Sequence, residues 1–349
     1  MSLGKRLIST DAAGGSDGSA NFNTVIYNGA GGTQSITGVG FAPDFVWVKN
    51  RDRTNSHIIN TTLFGTTAWI DPDGTGAANS NVNRDWFQSF DSDGFTVKRT
   101  AASGETADNW NRSGDKYVAW CWYAPTSQSI SASGSRIAST IKKNVAAGFS
   151  IVKYEGTGSA ATVGHGLSSA PEMVIVKNAD VSGTNWWVWH SGLGDGTKYL
   201  NLTTTAGVNS VSSIWNSTVP TSTVFSVAND GSSNGNGNTT LAFCFHSVAG
   251  SQKVGSYTGD GQANRSVTTG FSPKFLLIKS TVGNDNWRLY DTVRGITAGG
   301  FLEPNNSDGD NTYAAPNITM TPTGFEITSG GVTAGNNTAS NLYIYLAIA

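Results

Sequence analysis

Charged side chains are scarce in this chain of 349 residues, where they make up 13% of the sequence, against about a quarter in an average globular protein. The 22 Lys and Arg residues nearly balance the 24 Asp and Glu residues, which leaves a formal net charge of −2. A nucleic-acid-binding face needs clustered cations that neutralise many phosphates. The composition offers no such cluster, so we expect no nucleic-acid partner.

Long apolar runs are also missing. No stretch approaches the roughly 18 residues of a membrane-spanning helix, and the basic pair Lys5 and Arg6 is not followed by the apolar core of a secretory signal. We therefore expect neither membrane insertion nor signal-directed export. The two cysteines, Cys121 and Cys244, are too few for a disulfide framework in a chain of this length. Packing must therefore stabilise the fold.

Aromatic residues, in contrast, are plentiful: the chain has 11 Trp, 10 Tyr and 15 Phe. Each buried aromatic ring removes a large apolar area from water. The 43 glycines and the many Ser, Thr and Asn residues give the sequence a low-complexity look, but a disordered chain would be poor in aromatics. We expect a folded protein with an aromatic core.

The same series of motifs occurs three times. The most regular feature is a proline followed six positions later by a lysine at the end of an apolar run, which places Lys49, Lys177 and Lys279 in equivalent positions. An apolar run ending in Tyr-x-Gly-x-Gly precedes each proline, and a short apolar strand closes each copy. The copies cover residues 22–124, 148–249 and 252–349, so we predict one domain per copy.

The apolar runs indicate an all-β protein. They are short, rich in β-branched and aromatic residues, and separated by turn sequences such as DPDG (71–74) and DSDG (91–94). No window keeps a helical period over a dozen residues. The pattern predicts three tandem antiparallel β-sandwich domains, of jelly-roll or lectin-like type, each with one aromatic core between two half-buried sheets.

Two segments lie outside the copies. Residues 125–147 are small and polar, and we interpret them as a linker that either flexes or crosses to a neighbouring chain; copies two and three are joined almost directly. Residues 1–21 have the composition of a tether, and we interpret them as an N-terminal attachment arm.

Comparison of the copies argues against catalysis. The four histidines occupy four different positions within the copies, so no triad or histidine metal site is repeated. Cys121 and Cys244 align on the closing strand, which favours core packing over a mutual disulfide. No carboxylate pair recurs, as a glycosidase would need. The acidic turns could supply oxygen ligands for calcium, but they are also plain turn formers. We expect no enzyme, no cofactor and no resident metal.

Three tryptophans differ from the rest because they lie in polar stretches that vary among the copies. Variable loops on a common scaffold often carry recognition, and an indole ring beside Asn and Asp is a good platform for a sugar. The candidate glycan contacts are therefore Trp86, Trp110 and Trp215.

Copy one resembles a repeat domain of structural proteins from tailed, chiefly marine, bacteriophages. The resemblance rests on GFAPDFVWVKNR (40–51), SHIINTTLFG (56–65), SFDSDGFTV (89–97) and GDKYVAWCWYA (114–124), and LGKRLIST (3–10) is similar to the start of fibre-like proteins from such viruses. Copies two and three match less closely. The resemblance implies a virion component and no catalytic residues.

From this resemblance we expect a tail-fibre-type appendage that contacts tail or capsid proteins and meets host-surface glycan through its loops. Particle attachment is expected at Lys5, Arg6, Leu7 and Ile8, and a homotrimer is one candidate assembly. The alternatives are a capsid decoration or head-fibre protein, and a polysaccharide depolymerase. An extended row of rigid domains would suit the first of these roles.

Overall fold

The computed structural model describes residues 20–79, 86–99, 109–294, 300–312, 317–328 and 335–349. The fold is all-β, as the sequence predicts, and its sheets are antiparallel apart from one short parallel pair. Helix is confined, in the described ranges, to α1 (Ser212–Trp215), α2 (Gly231–Asn234) and a 3₁₀ turn at Ser191–Leu193. None of these helices is long and apolar enough to cross a membrane.

Unit 1, residues 22–124, forms two sheets. Its strands are β1 (Phe22–Asn28), β2 (Thr33–Ile36), β3 (Phe45–Asn50), β4 (Ile58–Thr61), β5 (Trp86–Asp91), β6 (Gly94–Lys98) and β7 (Lys116–Trp122). The inner sheet has the order β1-β7-β3-β4 and the outer sheet the order β2-β6-β5.

Unit 3, residues 252–349, repeats this arrangement. Its strands are β19 (Gln252–Thr258), β20 (Arg265–Thr268), β21 (Phe275–Ser280), β22 (Arg288–Asp291), β23 (Gly300–Phe301), β24 (Asn311–Thr312), β25 (Ile318–Thr321), β26 (Gly324–Ile327) and β27 (Leu342–Ile348). The inner sheet is β19-β27-β21-β22, the outer sheet is β20-β26-β25, and β23 pairs with β24.

Unit 2, residues 148–249, has the same core but a wider inner sheet. The strands from residue 125 onward are β8 (Thr126–Ile130), β9 (Arg136–Ile137), β10 (Ser139–Asn144), β11 (Phe149–Glu155), β12 (Ala161–Gly164), β13 (Met173–Asn178), β14 (Trp186–His190), β15 (Lys198–Asn201), β16 (Asn209–Ser210), β17 (Val224–Val227) and β18 (Thr239–Phe245). The inner sheet has eight strands in the order β16-β15-β14-β13-β18-β11-β10-β8, and the outer sheet is β17-β12-β9.

The predicted linker is therefore wrong, because residues 125–147 add strands to unit 2. Strand β10 pairs with β11 from Ser139 to Asn144, and β8 pairs with β10. Ile141 points into the core of unit 2, while Lys142 on the opposite face forms an ion pair with Asp44 of unit 1 at 3.1 Å. Sheet pairing on one side and this ion pair on the other hold the segment in place.

The central strands β3, β13 and β21 of the inner sheets are buried on both faces. In β3, Val46 and Val48 belong to a local cluster with Phe95 and Val97 of the outer sheet. Units 2 and 3 have corresponding local clusters. The alternate side chains of β3, beginning with Phe45, point the other way into a separate cluster. Period-two alternation sends successive side chains to opposite faces, so each inner sheet serves two cores.

That separate cluster is one central core shared by all three units. Trp122 of unit 1 packs against Phe149 of unit 2, with ring centroids 6.1 Å apart, and against Phe275 of unit 3 at 5.5 Å. Phe45 meets Phe243 of unit 2 at 5.1 Å. The picture of rigid domains in series is therefore wrong. The units lie around a common core because the second face of each inner sheet is apolar and must be covered.

Candidate functional site

The three repeated lysines join the units into a closed ring. The Nζ atom of Lys177 in unit 2 donates to the Thr75 carbonyl of unit 1 at 3.3 Å, and that of Lys279 in unit 3 donates to the Thr205 carbonyl of unit 2 at 3.1 Å. Lys49 in unit 1 closes the ring by donating to the Ser307 carbonyl of unit 3 at 3.0 Å. Each lysine thus holds a loop of the preceding unit.

These lysines are buried, and burial lowers the pKa of each to about 8. Carbonyl oxygens of their own unit complete the coordination, such as Arg53 for Lys49 and Asp285 for Lys279. A buried ammonium is tolerated only when it is hydrogen-bonded. The lysines therefore have a structural role, and they face backbone rather than an open site.

A second set of contacts follows the same cyclic order. Trp186 of unit 2 donates its Nε1–H to the Gly74 carbonyl of unit 1 at 3.1 Å, and Trp287 of unit 3 donates to the Asn201 carbonyl of unit 2 at 3.0 Å. His57 is the equivalent residue of unit 1, where it accepts from Trp47 Nε1 at 3.0 Å. Two of the three junctions therefore use equivalent tryptophans, whereas the hydrogen bond between Trp47 and His57 lies within unit 1.

All four histidines are buried. Burial lowers the pKa of His190 to about 4, and its Nε2 lies 3.3 Å from the Tyr345 carbonyl of unit 3. Burial also lowers the pKa of His165 to about 4 and that of His57 well below its ordinary value. Nδ1 of His246 lies 2.9 Å from the carbonyl of its neighbour Ser247. Among these rings, His246 lies close enough to His165 to lower its pKa further, after burial and against a hydrogen bond to the Thr221 carbonyl.

The cysteines are buried and free, which confirms their interpretation as core residues. Burial raises the pKa of both thiols far above the ordinary value. A thiol must ionise to act as a nucleophile or metal ligand, and burial disfavours that ionisation at Cys121 and Cys244.

Two of the three proposed glycan contacts are wrong. Trp110 is 1% exposed and packs against Trp69 and Phe87 in the core of unit 1. Trp215 is 2% exposed and lies in the core of unit 2. Both rings come from polar stretches of sequence, Trp110 from a loop and Trp215 from the end of α1, but they point inward and belong to the local cores of units 1 and 2. The side chain of Trp86 and the attachment candidates Lys5, Arg6, Leu7 and Ile8 lie outside the described residues.

The acidic turn at residues 71–74 lies at the junction of units 1 and 2. Burial raises the pKa of Asp71 to about 7, with the neighbouring Asp73 as the next cause, and burial raises the pKa of Asp73 to about 6. Asp71 accepts one hydrogen bond from Asn79 at 3.2 Å, and its Oδ1 is buried without a partner. Within the described ranges, no three His, Cys, Asp or Glu residues are grouped as metal ligands would be.

Asp71→Asn should stabilise the fold in a pH-dependent way. The folded protein binds a proton at Asp71 more tightly than the unfolded chain does, so wild-type stability contributed by this group falls as the pH rises from about 4 to 7. The asparagine side chain of the variant does not ionise, so the stability of the variant does not fall in this pH range through this group. We expect no difference at pH 4 and a gain of up to about 4 kcal/mol above pH 7, measured by denaturant unfolding. A gain that is equal at pH 4 and pH 8 would contradict this assignment.

An open groove of about 510 Å³ lies between unit 1 and the strands that residues 125–147 add to unit 2. It runs across the end of the inner sheet where β8 and β11 finish and β10 and β18 begin. Phe64 of unit 1 forms one wall. The other wall carries Lys153, Glu155 and several serine and threonine side chains.

The polar groups of this groove are largely unused by the protein. Lys153 donates one hydrogen bond from Nζ, to the Leu63 carbonyl at 3.0 Å, and an ammonium group has three donors. Among the described residues Glu155 makes no ion pair, and the hydroxyls of Ser129, Thr140 and Thr239 have no hydrogen-bond partner in the protein. The groove therefore presents donors and acceptors to solvent.

Sequence reasoning missed this groove because half of it comes from the segment interpreted as a linker. The local pattern gave an ambiguous signal: Ile137, Ile141 and Val145 are spaced by four residues, which fits one face of a helix as well as one face of a strand. In the structure Ile137 and Ile141 are both buried.

The comparison with protein families gives one match. The model of DUF7483, described as a domain of unknown function, matches residues 17–349. The chain belongs to this family. The DUF7483 match spans all three units together with the strands between units 1 and 2, in agreement with the shared core. None of the curated proteins matches the chain.

Proposed function

We propose that the protein is a non-enzymatic structural component of a virus particle, where it forms an appendage on the outer surface. The observation that carries the proposal is the closed ring, in which three related units cover one aromatic core. The resemblance of residues 40–51 and 114–124 to phage structural proteins is the reason for proposing a virus particle as the location. The histidines, cysteines and repeated lysines all serve packing and unit junctions, as in a rigid building element.

The ring changes which kind of appendage is favoured. A tail-fibre shaft would need domains that follow one another, whereas these units close on themselves. The body therefore suits a knob, carried by the arm at residues 1–21 with Lys5, Arg6, Leu7 and Ile8 as its contacts to tail or capsid proteins. We also propose that each unit is one sandwich of jelly-roll or lectin-like type, produced by duplication.

Capsid decoration is the second candidate, and the threefold arrangement of the units favours it. Related surfaces repeated three times match a partner that is itself threefold, such as a cluster of three shell subunits. The ring places three related units around one core within a single chain, as a homotrimer of single units would do with three chains. Polysaccharide hydrolysis is less well supported, because the groove offers one carboxylate, Glu155, where a glycosidase uses two.

Particle localisation tests this proposal. Antibodies against the recombinant protein, applied to purified particles with gold labelling, should mark the particle surface. Label at the tail would indicate a fibre knob, and label over the shell would indicate decoration. Deletion of residues 2–21 should abolish incorporation while the recombinant protein still folds. Absence of the chain from purified particles, measured by mass spectrometry, would overturn the proposal.

A further inference from the structure

We infer that the groove between unit 1 and strands β8 and β10 binds a short, uncharged oligosaccharide. This inference rests on the proposed function, since it names what the outward surface of the appendage contacts. The volume of about 510 Å³ lies within the range of small-ligand sites. The groove is proposed as the sugar site in place of Trp110 and Trp215, which are buried and cannot contact a sugar.

The chemistry of the walls selects this class of ligand. A sugar carries hydroxyl groups that both donate and accept hydrogen bonds. The groove contains an acceptor at Glu155, donors at Lys153, and hydroxyl groups at Ser129 and Thr140. Phe64 supplies an apolar surface for the carbon face of a sugar ring. The one positive and one negative side chain offset each other, so a strongly charged polysaccharide gains little.

The position of the groove also sets it apart from the ring junctions. Units 1 and 3 leave β1 and β19 as the edges of their inner sheets, whereas in unit 2 the corresponding strand β11 is covered by β10 and β8. The groove is formed where these added strands meet Phe64. A glycan contact there would occur once per chain, while the other parts of the ring serve the fold.

Glu155→Gln and Thr140→Val test the groove without disturbing the core, because both side chains are exposed and make no hydrogen bond in the described protein. The full-length protein is applied to an array of neutral and acidic oligosaccharides, and the affinity for the best neutral ligand is measured by calorimetry. We expect each variant to weaken binding about tenfold, which corresponds to one lost hydrogen bond to a charged or polar group. Glu326→Gln on β26 of unit 3 is the matched control and should bind as wild type.

Failure of the array to show any neutral ligand would overturn the inference, and so would a Glu155→Gln/Thr140→Val double variant that binds with unchanged affinity. Selective binding of acidic glycans would overturn it as well. These outcomes are separate from particle localisation. A protein that is found in particles but binds no glycan refutes the groove alone, whereas glycan binding that is lost in the variants, by a protein absent from particles, refutes the virion role alone.

Discussion

Trp120→Ala should lower the free energy of unfolding by about 3–5 kcal/mol, as is typical of a fully buried tryptophan. Trp120 has no exposed surface and belongs to the central core. It packs against Trp47 of its own unit and Phe275 of unit 3, and its Nε1–H donates to Asp291 of unit 3 at 3.1 Å. Truncation leaves a cavity where units meet, so protection against hydrogen exchange should fall in all three units.

Val181→Ala is the control, since Val181 is 41% exposed on unit 2 and surface substitutions usually change stability by less than about 0.5 kcal/mol. Guanidinium unfolding gives the energies, and hydrogen exchange locates the loss. A loss of protection limited to unit 1 would show that the central core does not couple the units.

Arg294→Met should cost about 3–5 kcal/mol, because it leaves a buried carboxylate without its cation. The Arg294 side chain is 2% exposed, and its Nε lies 2.5 Å from Oδ2 of Asp291, which is fully buried. A second contact reaches Asp310 at 2.8 Å, and Asp310 also pairs with Arg51 of unit 1. The guanidinium thus anchors the loop that closes the ring between units 3 and 1.

The double variant Asp291→Asn/Arg294→Met separates the cost of an orphaned charge from the value of the pair. Replacement of both partners by uncharged groups is often nearly neutral. The double variant should therefore recover part of the lost stability. The amide oxygen introduced by Asp291→Asn still accepts from Trp120, but its amide nitrogen replaces the oxygen that accepts from the Arg294 backbone N–H. Equal destabilisation of single and double variants in guanidinium unfolding would mean that Arg294 acts through packing alone.

The repeat and the all-β class could be predicted from sequence because both depend on local pattern. The proline-to-lysine spacing was the most regular feature, and the structure gives the reason: Lys49, Lys177 and Lys279 each bind the loop of the preceding unit. Because each lysine must reach the loop of the preceding unit, the spacing from proline to lysine is the same in all three copies, although the surrounding residues differ.

The arrangement of the units was harder to predict. Runs such as FVWVKN are apolar at successive positions, which is typical of strands buried on both faces, and the prediction of half-buried sandwich strands does not account for this pattern. This pattern indicates that the second face of the sheet is covered, but it does not identify the part of the protein that covers it. The closed ring depends on contacts between residues far apart in sequence, such as Arg51 with Asp310, and no local signal reports them.

The candidate site shows the limit of composition as a guide. Trp110 and Trp215 lie among polar residues in sequence, yet both are buried in the local cores of units 1 and 2, because a large aromatic ring removes a large apolar area from water when it is buried. The groove instead uses serine, threonine and Lys153, which are common surface residues. These residues form a groove only because the added strands place them opposite Phe64.

Scanning calorimetry of the full-length protein tests the shared core most directly. If the three units share one core, they unfold together, and the calorimetric enthalpy should equal the van't Hoff enthalpy of a single transition. Independent units would each unfold separately, and the calorimetric enthalpy would be about three times the van't Hoff value. We expect a ratio near one, and a ratio near three, or three resolved transitions, would contradict a shared core.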